Sequence, residues 1–375
     1  MDIADPPLAE ADPVATPPPD AGPGEGRRIR IRDLALPVVL SLGALAAILA
    51  FTWEPGAFGA VAESFRPLTL LLAVAALGMQ LFAGGSRLSH VSKGVLNRRQ
   101  GIRGQLTWDF MSAVTPSAMG GAPFAAYFIA RGNKLPYGEV TAVMLFTMLM
   151  DQIWFAFLIV AMYVSAVWLP VFPTTLGAAG IGTIGAYLGG MLIYIGFFIY
   201  ATLIRPEVIE RAAAWVVQFK WLRRFKPTVR REARKLRQQA KVLRGQPLRF
   251  YLIGAGYTLL YWAGRYGVVL LVALSFTRDF RPGLFVLRTA GLWLAGLAMP
   301  TPGGSGGIEA LFLLYLAPLL PAGFGGPVLL VWRLIAYHFV LALGLFVAGH
   351  AVRALLRGET PPPSPDAAPI GDDPA

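Results

Sequence analysis

Pro300-Thr301-Pro302-Gly303-Gly304-Ser305-Gly306-Gly307-Ile308-Glu309 interrupts a long apolar stretch. One apolar run arrives over Gly283–Met299 and another leaves over Ala310–Leu320. The prolines lack amide donors and the glycines lack Cβ atoms, so a continuous helix cannot pass through. Yet the flanks are as apolar as a bilayer interior. Broken backbone at membrane depth is tolerated only where it is buried in protein or lines a wet cavity. The stretch therefore predicts two half-helices meeting at an unwound tip, the kind of place where transporters hold substrate.

A second stretch repeats the pattern. Thr115-Pro116-Ser117-Ala118-Met119-Gly120-Gly121 and Thr301–Gly307 both read Thr-Pro-x-x-x-Gly-Gly, about half a chain length apart. This is either a weak internal repeat of one fold half or a chance likeness of two Gly/Pro-rich loops. Under the repeat reading a site between the tips takes in Pro302, Gly303, Gly304, Gly306 and Glu309 on one side and Pro116, Gly120 and Gly121 on the other.

The run Pro-Thr-Pro-Gly-Gly-x-Gly-x-x-Glu resembles the signature of the flippase-like membrane family typified by the lysylphosphatidylglycerol synthase transmembrane region. Thr115–Gly121, followed by Pro123, is similar to the family's more variable N-terminal counterpart, with Ala118 and Met119 where charged or polar residues are common. The resemblance spans roughly Arg30–Arg357. It implies a lipid or lipid-linked substrate moved between leaflets. The soluble aminoacyl-transferase domain of the two-part members has no counterpart in these residues.

Composition agrees with a membrane chain. Of 375 residues, 55% are hydrophobic and only 14% charged, which marks a polytopic membrane protein. No cysteine is present, so disulfides and thiolate metal sites are excluded. His90, His338 and His350 form no ligand cluster, and no metal or other cofactor is implied. The net charge of +12 is concentrated in loops, which favours anionic lipid headgroups over nucleic acid as partners. Residues 1–26 and 358–375 are Pro/Asp-rich tails without the composition to fold, and no cleavable leader is evident in the first.

Charge sets the topology of the membrane domain, residues 27–357. Arg27, Arg28, Arg30 and Arg32 precede the first apolar span, Leu34–Trp53, and place the N-terminus in the cytoplasm. Pro67–Gly85 returns, and Arg87, Lys93, Arg98, Arg99 and Arg103 form a cytoplasmic cluster. Leu106–Ala130 is then either a full crossing or a re-entrant hairpin. The loop 205–249 decides between them, because it carries fourteen basic against three acidic residues and so belongs in the cytoplasm. That requires the hairpin. Apolar residues at helical spacing within the loop, such as Ile209, Ala213 and Val216, suggest amphipathic helices on anionic lipid, with a solvated basic linker as the alternative. The spans Val140–Val164, Leu176–Ile204 and Phe250–Phe276 follow. Gly283–Leu320 forms the second hairpin, and Pro327–Val352 crosses last to a cytoplasmic C-terminus. The fold class is an all-α polytopic membrane protein, with about six transmembrane helices and two re-entrant helical hairpins. Three spans separate the two tips, so the hairpins enter from opposite faces as an inverted repeat.

Ionisable groups inside apolar spans are expensive and therefore candidates for function. Glu309, just past the tip, either caps a half-helix or contacts substrate. Arg265, Arg288 and Arg333 can grip a lipid phosphate, or neutralise Asp151 and Glu309. Arg288 is placed to snorkel towards the surface. Asp151 is the matching acid of the N-terminal half, either an arginine partner or a proton-coupling site, while Asp109 and Glu139 fall nearer the cytoplasmic interface as solvated groups. His338 reads as a helix–helix hydrogen-bonding residue, and Trp154, Phe155, Trp262, Tyr266 and Trp332 as packing and interface anchors.

The leading functional expectation is a flippase or transporter of an anionic or polar-headed lipid, including lipid-linked sugars and aminoacylated lipids, in a bacterial-type inner membrane. The alternative is a membrane enzyme or accessory subunit in lipid, polyprenyl-linked glycan or hopanoid biosynthesis, docked to a lipid-modifying enzyme by the basic loop. No Asp-x-Asp pair in an ordered segment, His/Asp cluster or phosphate-binding Gly-x-x-x-x-Gly-Lys loop supports catalysis or ATP use. Substrate-binding residues are named, therefore, and catalytic ones are not. The sequence sets no oligomeric state.

Overall fold

The computed structural model describes residues 63–115, 121–173, 177–200 and 241–347, together with a few isolated positions outside those stretches. The tails at 1–26 and 358–375, the span at 34–53, residues 212–240 of the basic loop, and the tip residues Pro116 and Gly120 lie outside the described residues.

Every described element is helical. In chain order they are α1 (Pro67–Val91), α2 (Arg98–Val114), α3 (Gly121–Gly132), α4 (Tyr137–Ser165), α5 (Gly177–Ile199), α6 (Leu248–Phe276), α7 (Pro282–Gly296), α8 (Gly307–Tyr315) and α9 (Gly325–Val347). Of these, α1, α4, α5, α6 and α9 are long and apolar enough to cross a membrane. The fold is thus a polytopic all-α membrane protein. The three long helices between the two Gly-Gly motifs are α4, α5 and α6, matching the spans read from the sequence.

Both predicted hairpins are helix pairs broken at the motifs. In the first, α2 and α3 pack against one another across residues 116–120. Its leading leg starts at Arg98, earlier than charge alone suggested. Asn97 caps it: the Gln100 amide donates to Asn97 Oδ1 at 2.9 Å, and the Asn97 amide donates back to Gln100 Oε1 at 2.8 Å. Arg98, Arg99 and Arg103 lie on the exposed face, while Gly101 and Gly104 are buried against α1. In the second hairpin α7 packs on α8, with the Pro300–Gly306 stretch between them.

Helices α1 and α6 pack along their lengths and form the centre. One apolar core, including Phe285, Phe312 and Trp332, surrounds the second hairpin. Another, including Phe110, Ile129, Phe146 and Phe250, surrounds the first, and a third, including Ile159, Trp262 and Leu294, joins them. Large apolar side chains such as Phe157, Val160, Ile193, Phe197, Leu252 and Phe346 face outward, an arrangement suited to lipid rather than water.

Candidate functional site

The second tip is built by its glycines. Gly303 sits at φ 59° and Gly306 at φ 84°, left-handed conformations that side chains other than glycine rarely adopt. They let the chain turn between α7 and α8 with short local bonds, from the Gly304 amide to the Thr301 carbonyl at 2.9 Å and from the Ser305 amide to the Pro302 carbonyl at 3.1 Å. Gly306 then caps α8, and its amide donates to Glu309 Oε2 at 2.8 Å. The other oxygen of Glu309 lies 2.8 Å from Arg333 Nε on α9. Glu309 is fully buried. Cap and counter-ion are therefore one role for this residue, whose carboxylate joins the tip to Arg333.

At the first tip, Thr115 Oγ1 donates to the Met111 carbonyl at 2.7 Å and ends α2. Gly121 opens α3 directly against the backbone of Met111 and Ser112, where a Cβ would not fit. Tyr337 on α9 touches both hairpins. It packs on Gly303, and its hydroxyl lies 3.4 Å from the Ala113 carbonyl as donor. It belongs to the six π-helical residues Leu334–Phe339; such widened turns often occur at functional sites.

Between the tips lies a cavity of about 210 Å³. Gln105, Asp109 and Ala122 of the first hairpin line it, as do Gly303, Gly304 and Ile308 of the second. Asp151, Arg265, Arg333, Trp262 and Trp293 complete much of the wall. Residues flanking the first motif and glycines of the second, half a chain apart in sequence, thus bound one space, while Gly121 itself does not line it.

The predicted charges divide among three situations. Asp151 is held by Arg87, with Nη1 2.6 Å from Oδ1 and Nη2 3.2 Å from Oδ2, and it also accepts from Trp262 Nε1 at 2.8 Å. Arg333 pairs with Glu309 and lies 4.2 Å from the Tyr337 ring centroid. Arg265 lies 3.9 Å from the Trp293 ring centroid and donates to Tyr261 Oη at 3.0 Å. It forms no ion pair among the described residues, and its Nε is buried without a hydrogen-bond partner.

Arg288 does not line the cavity. It is buried and neither snorkels nor faces the tips: Nη2 donates to the Pro170 carbonyl at 2.8 Å and Nη1 to the Tyr315 carbonyl at 3.2 Å, tying α7 to the loop after α4 and to the end of α8. Pro302 and Gly306 shape the second tip without lining the cavity.

Arg87 and Asp109 were misplaced by the sequence. Arg87 is only 1% exposed and belongs to the site, not to the cytoplasmic basic cluster. Its position inside the continuous α1, six residues past Leu81 and before Leu88, was the available signal. Asp109 is not a solvated interfacial group. It lines the cavity with Oδ2 buried and unpartnered, while Gln105 Nε2 donates to Oδ1 at 3.1 Å. The aromatic residues also do more than pack, since Trp262, Trp293 and Trp332 all reach the cavity wall. Among the described residues His338 has no hydrogen-bond partner on another helix; its Nδ1 lies 3.1 Å from the carbonyl of Arg333 in its own helix.

Buried polar atoms without partners gather at this wall. Among the described residues they include Gln105 Oε1, Gln152 Oε1, Trp293 Nε1 and Trp332 Nε1, besides Arg265 Nε and Asp109 Oδ2. Folded proteins rarely leave such atoms unsatisfied unless water or a ligand serves them. Donors and acceptors are both on offer, so this part of the wall can satisfy a polar group.

A helical membrane protein with two broken helix pairs closing on a polar, partly charged cavity is the class these observations define. Within that class, the family model for the lysylphosphatidylglycerol synthase TM region matches residues 35–344, and the chain belongs to this family of membrane proteins of lipid-related function. No curated protein matches the sequence significantly.

Proposed function

We propose that this protein moves an anionic or polar-headed lipid between bilayer leaflets, with the headgroup passing through the cavity between the two tips. The observation that carries the reading is Arg265: a cation in a cavity walled by both broken hairpins, held over Trp293, with no acidic partner among the described residues. Arginine binds phosphate through parallel N–H donors, and a site at depth makes that attraction stronger. The outward-facing apolar side chains leave the acyl chains free to stay in lipid while the headgroup crosses.

The basic loop 205–249 supports a multi-pass placement in a bacterial-type inner membrane with both termini in the cytoplasm, and contact there with anionic headgroups or a lipid-modifying enzyme. No residue is assigned a catalytic role.

Reconstitution tests the reading. The purified full chain, placed in vesicles containing fluorescent phosphatidylglycerol, is expected to speed leaflet exchange measured by quenching of the outer leaflet. Exchange no faster than in protein-free vesicles, for anionic, aminoacylated and polyprenyl lipids alike, would remove the proposal.

A further inference from the structure

Two charged groups of the cavity wall stand apart from the rest. Arg87 pairs with Asp151 and Arg333 with Glu309. Arg265 on α6 and Asp109 on α2 form no ion pair among the described residues, with each other or with another charge. Each keeps one buried atom, Nε and Oδ2, without a hydrogen bond. The charged groups that share the cavity wall with Asp109 are Arg265 on α6, Arg87 on α1 and Asp151 on α4. Tyr261 of α6 and Arg333 and Tyr337 of α9 stand on the same wall.

One unmatched cation and one unmatched anion leave the empty cavity neutral. A monoanion arriving at Arg265 ends that balance in a cavity within the helix bundle, where uncompensated charge is disfavoured. It also competes with Asp109 for the positive field of Arg265, which favours a neutral carboxyl beside the bound anion. Both effects act in the same direction.

We propose that Asp109 takes up a proton from water when an anionic phosphodiester headgroup binds at Arg265, so that lipid and proton occupy the cavity together. The step is a simple protonation of Oδ2. It converts an unsatisfied acceptor into a donor beside the headgroup and restores neutrality. This inference rests on the lipid-moving reading for its biological use: a proton gradient across the membrane then biases the loaded form without nucleotide hydrolysis.

The test is calorimetric titration of the full chain in detergent with short-chain phosphatidylglycerol, near neutral pH, in buffers of different ionisation enthalpy. The dependence of the observed heat on buffer reports the protons exchanged. Uptake of about one proton per lipid is expected for the wild-type chain and about none for Asp109→Asn, which still binds. Asp109→Glu, which keeps the titrating group, is expected to retain uptake. Wild-type binding without proton uptake overturns the proposal, as does undiminished uptake in Asp109→Asn. So does tighter binding of short-chain phosphatidylethanolamine that is lost in Asp109→Asn, because Asp109 would then serve an ammonium group. Proton-linked binding without any leaflet exchange in vesicles would refute transport and leave the proton site standing. Failure to bind any anionic lipid would refute both.

Discussion

Glu309, in the first turn of α8, lies 2.8 Å from Arg333 on α9, and both are buried. The same carboxylate receives the Gly306 amide, so one side chain fastens the glycine tip to the last long helix. Removing one member of a buried pair strands the other. Glu309→Gln and Arg333→Met are each expected to cost about 3–5 kcal/mol. Thermal unfolding in detergent measures this, and the double variant should lose clearly less than the sum of the two. Additive losses would mean that the pair does not act as a unit.

Arg265 and Arg288 provide an internal contrast. Arg265→Met is expected to slow leaflet exchange by at least about tenfold, equivalent to about 1.4 kcal/mol at the barrier, with little change in melting temperature. Arg288→Met leaves the carbonyls of Pro170 and Tyr315 short of a donor and should lower stability by about 1–3 kcal/mol. Exchange per folded molecule should stay near wild type. The opposite pattern would place the headgroup contact at Arg288.

The tip glycines separate backbone strain from crowding. Gly306→Ala forces alanine into a left-handed conformation in open space and is expected to cost about 1–2 kcal/mol. Gly303→Ala carries the same strain and also drives its methyl into Tyr337, so it should cost more. Adding Tyr337→Ala is expected to relieve only the crowding part. Equal losses at Gly303 and Gly306 would show that Tyr337 yields freely.

Asn97 serves as a control at the far end of the first hairpin. Asn97→Ala removes the capping box of α2 and is expected to cost about 1 kcal/mol of stability. Leaflet exchange by the folded fraction should be unchanged. A large loss of exchange would mean that the start of this leg takes part in the transport cycle.

Much of the fold could be read directly. Proline and glycine act locally, through a missing amide and a missing Cβ, so Pro300–Gly307 announced its broken backbone without any tertiary information. The long apolar spans and the basic loop did the same, because hydrocarbon thickness and headgroup charge act on every such chain alike. The near-repeat at Thr115–Gly121 pointed to a second tip by the same local chemistry.

The partners of the buried charges could not be read this way. Whether an arginine is a ligand-binding group or half of an ion pair depends on which helices lie side by side, and hydrophobic periodicity carries no record of that. Arg87 looked like the edge of a basic loop until α1 proved continuous through Val91, and Arg288 looked like a phosphate contact until its guanidinium met the carbonyls of Pro170 and Tyr315. Asp109 became a cavity residue only when α2 packed along α1 and faced α6. The amino-acid order thus determined that this chain is a membrane protein with a glycine-hinged break before α8 and a helix that ends at the earlier Thr-Pro motif. Packing alone decided that Glu309 and Asp151 are already matched while Arg265 and Asp109 have no ion pair among the described residues, because a counter-ion is chosen by distance in space and not by position in the chain.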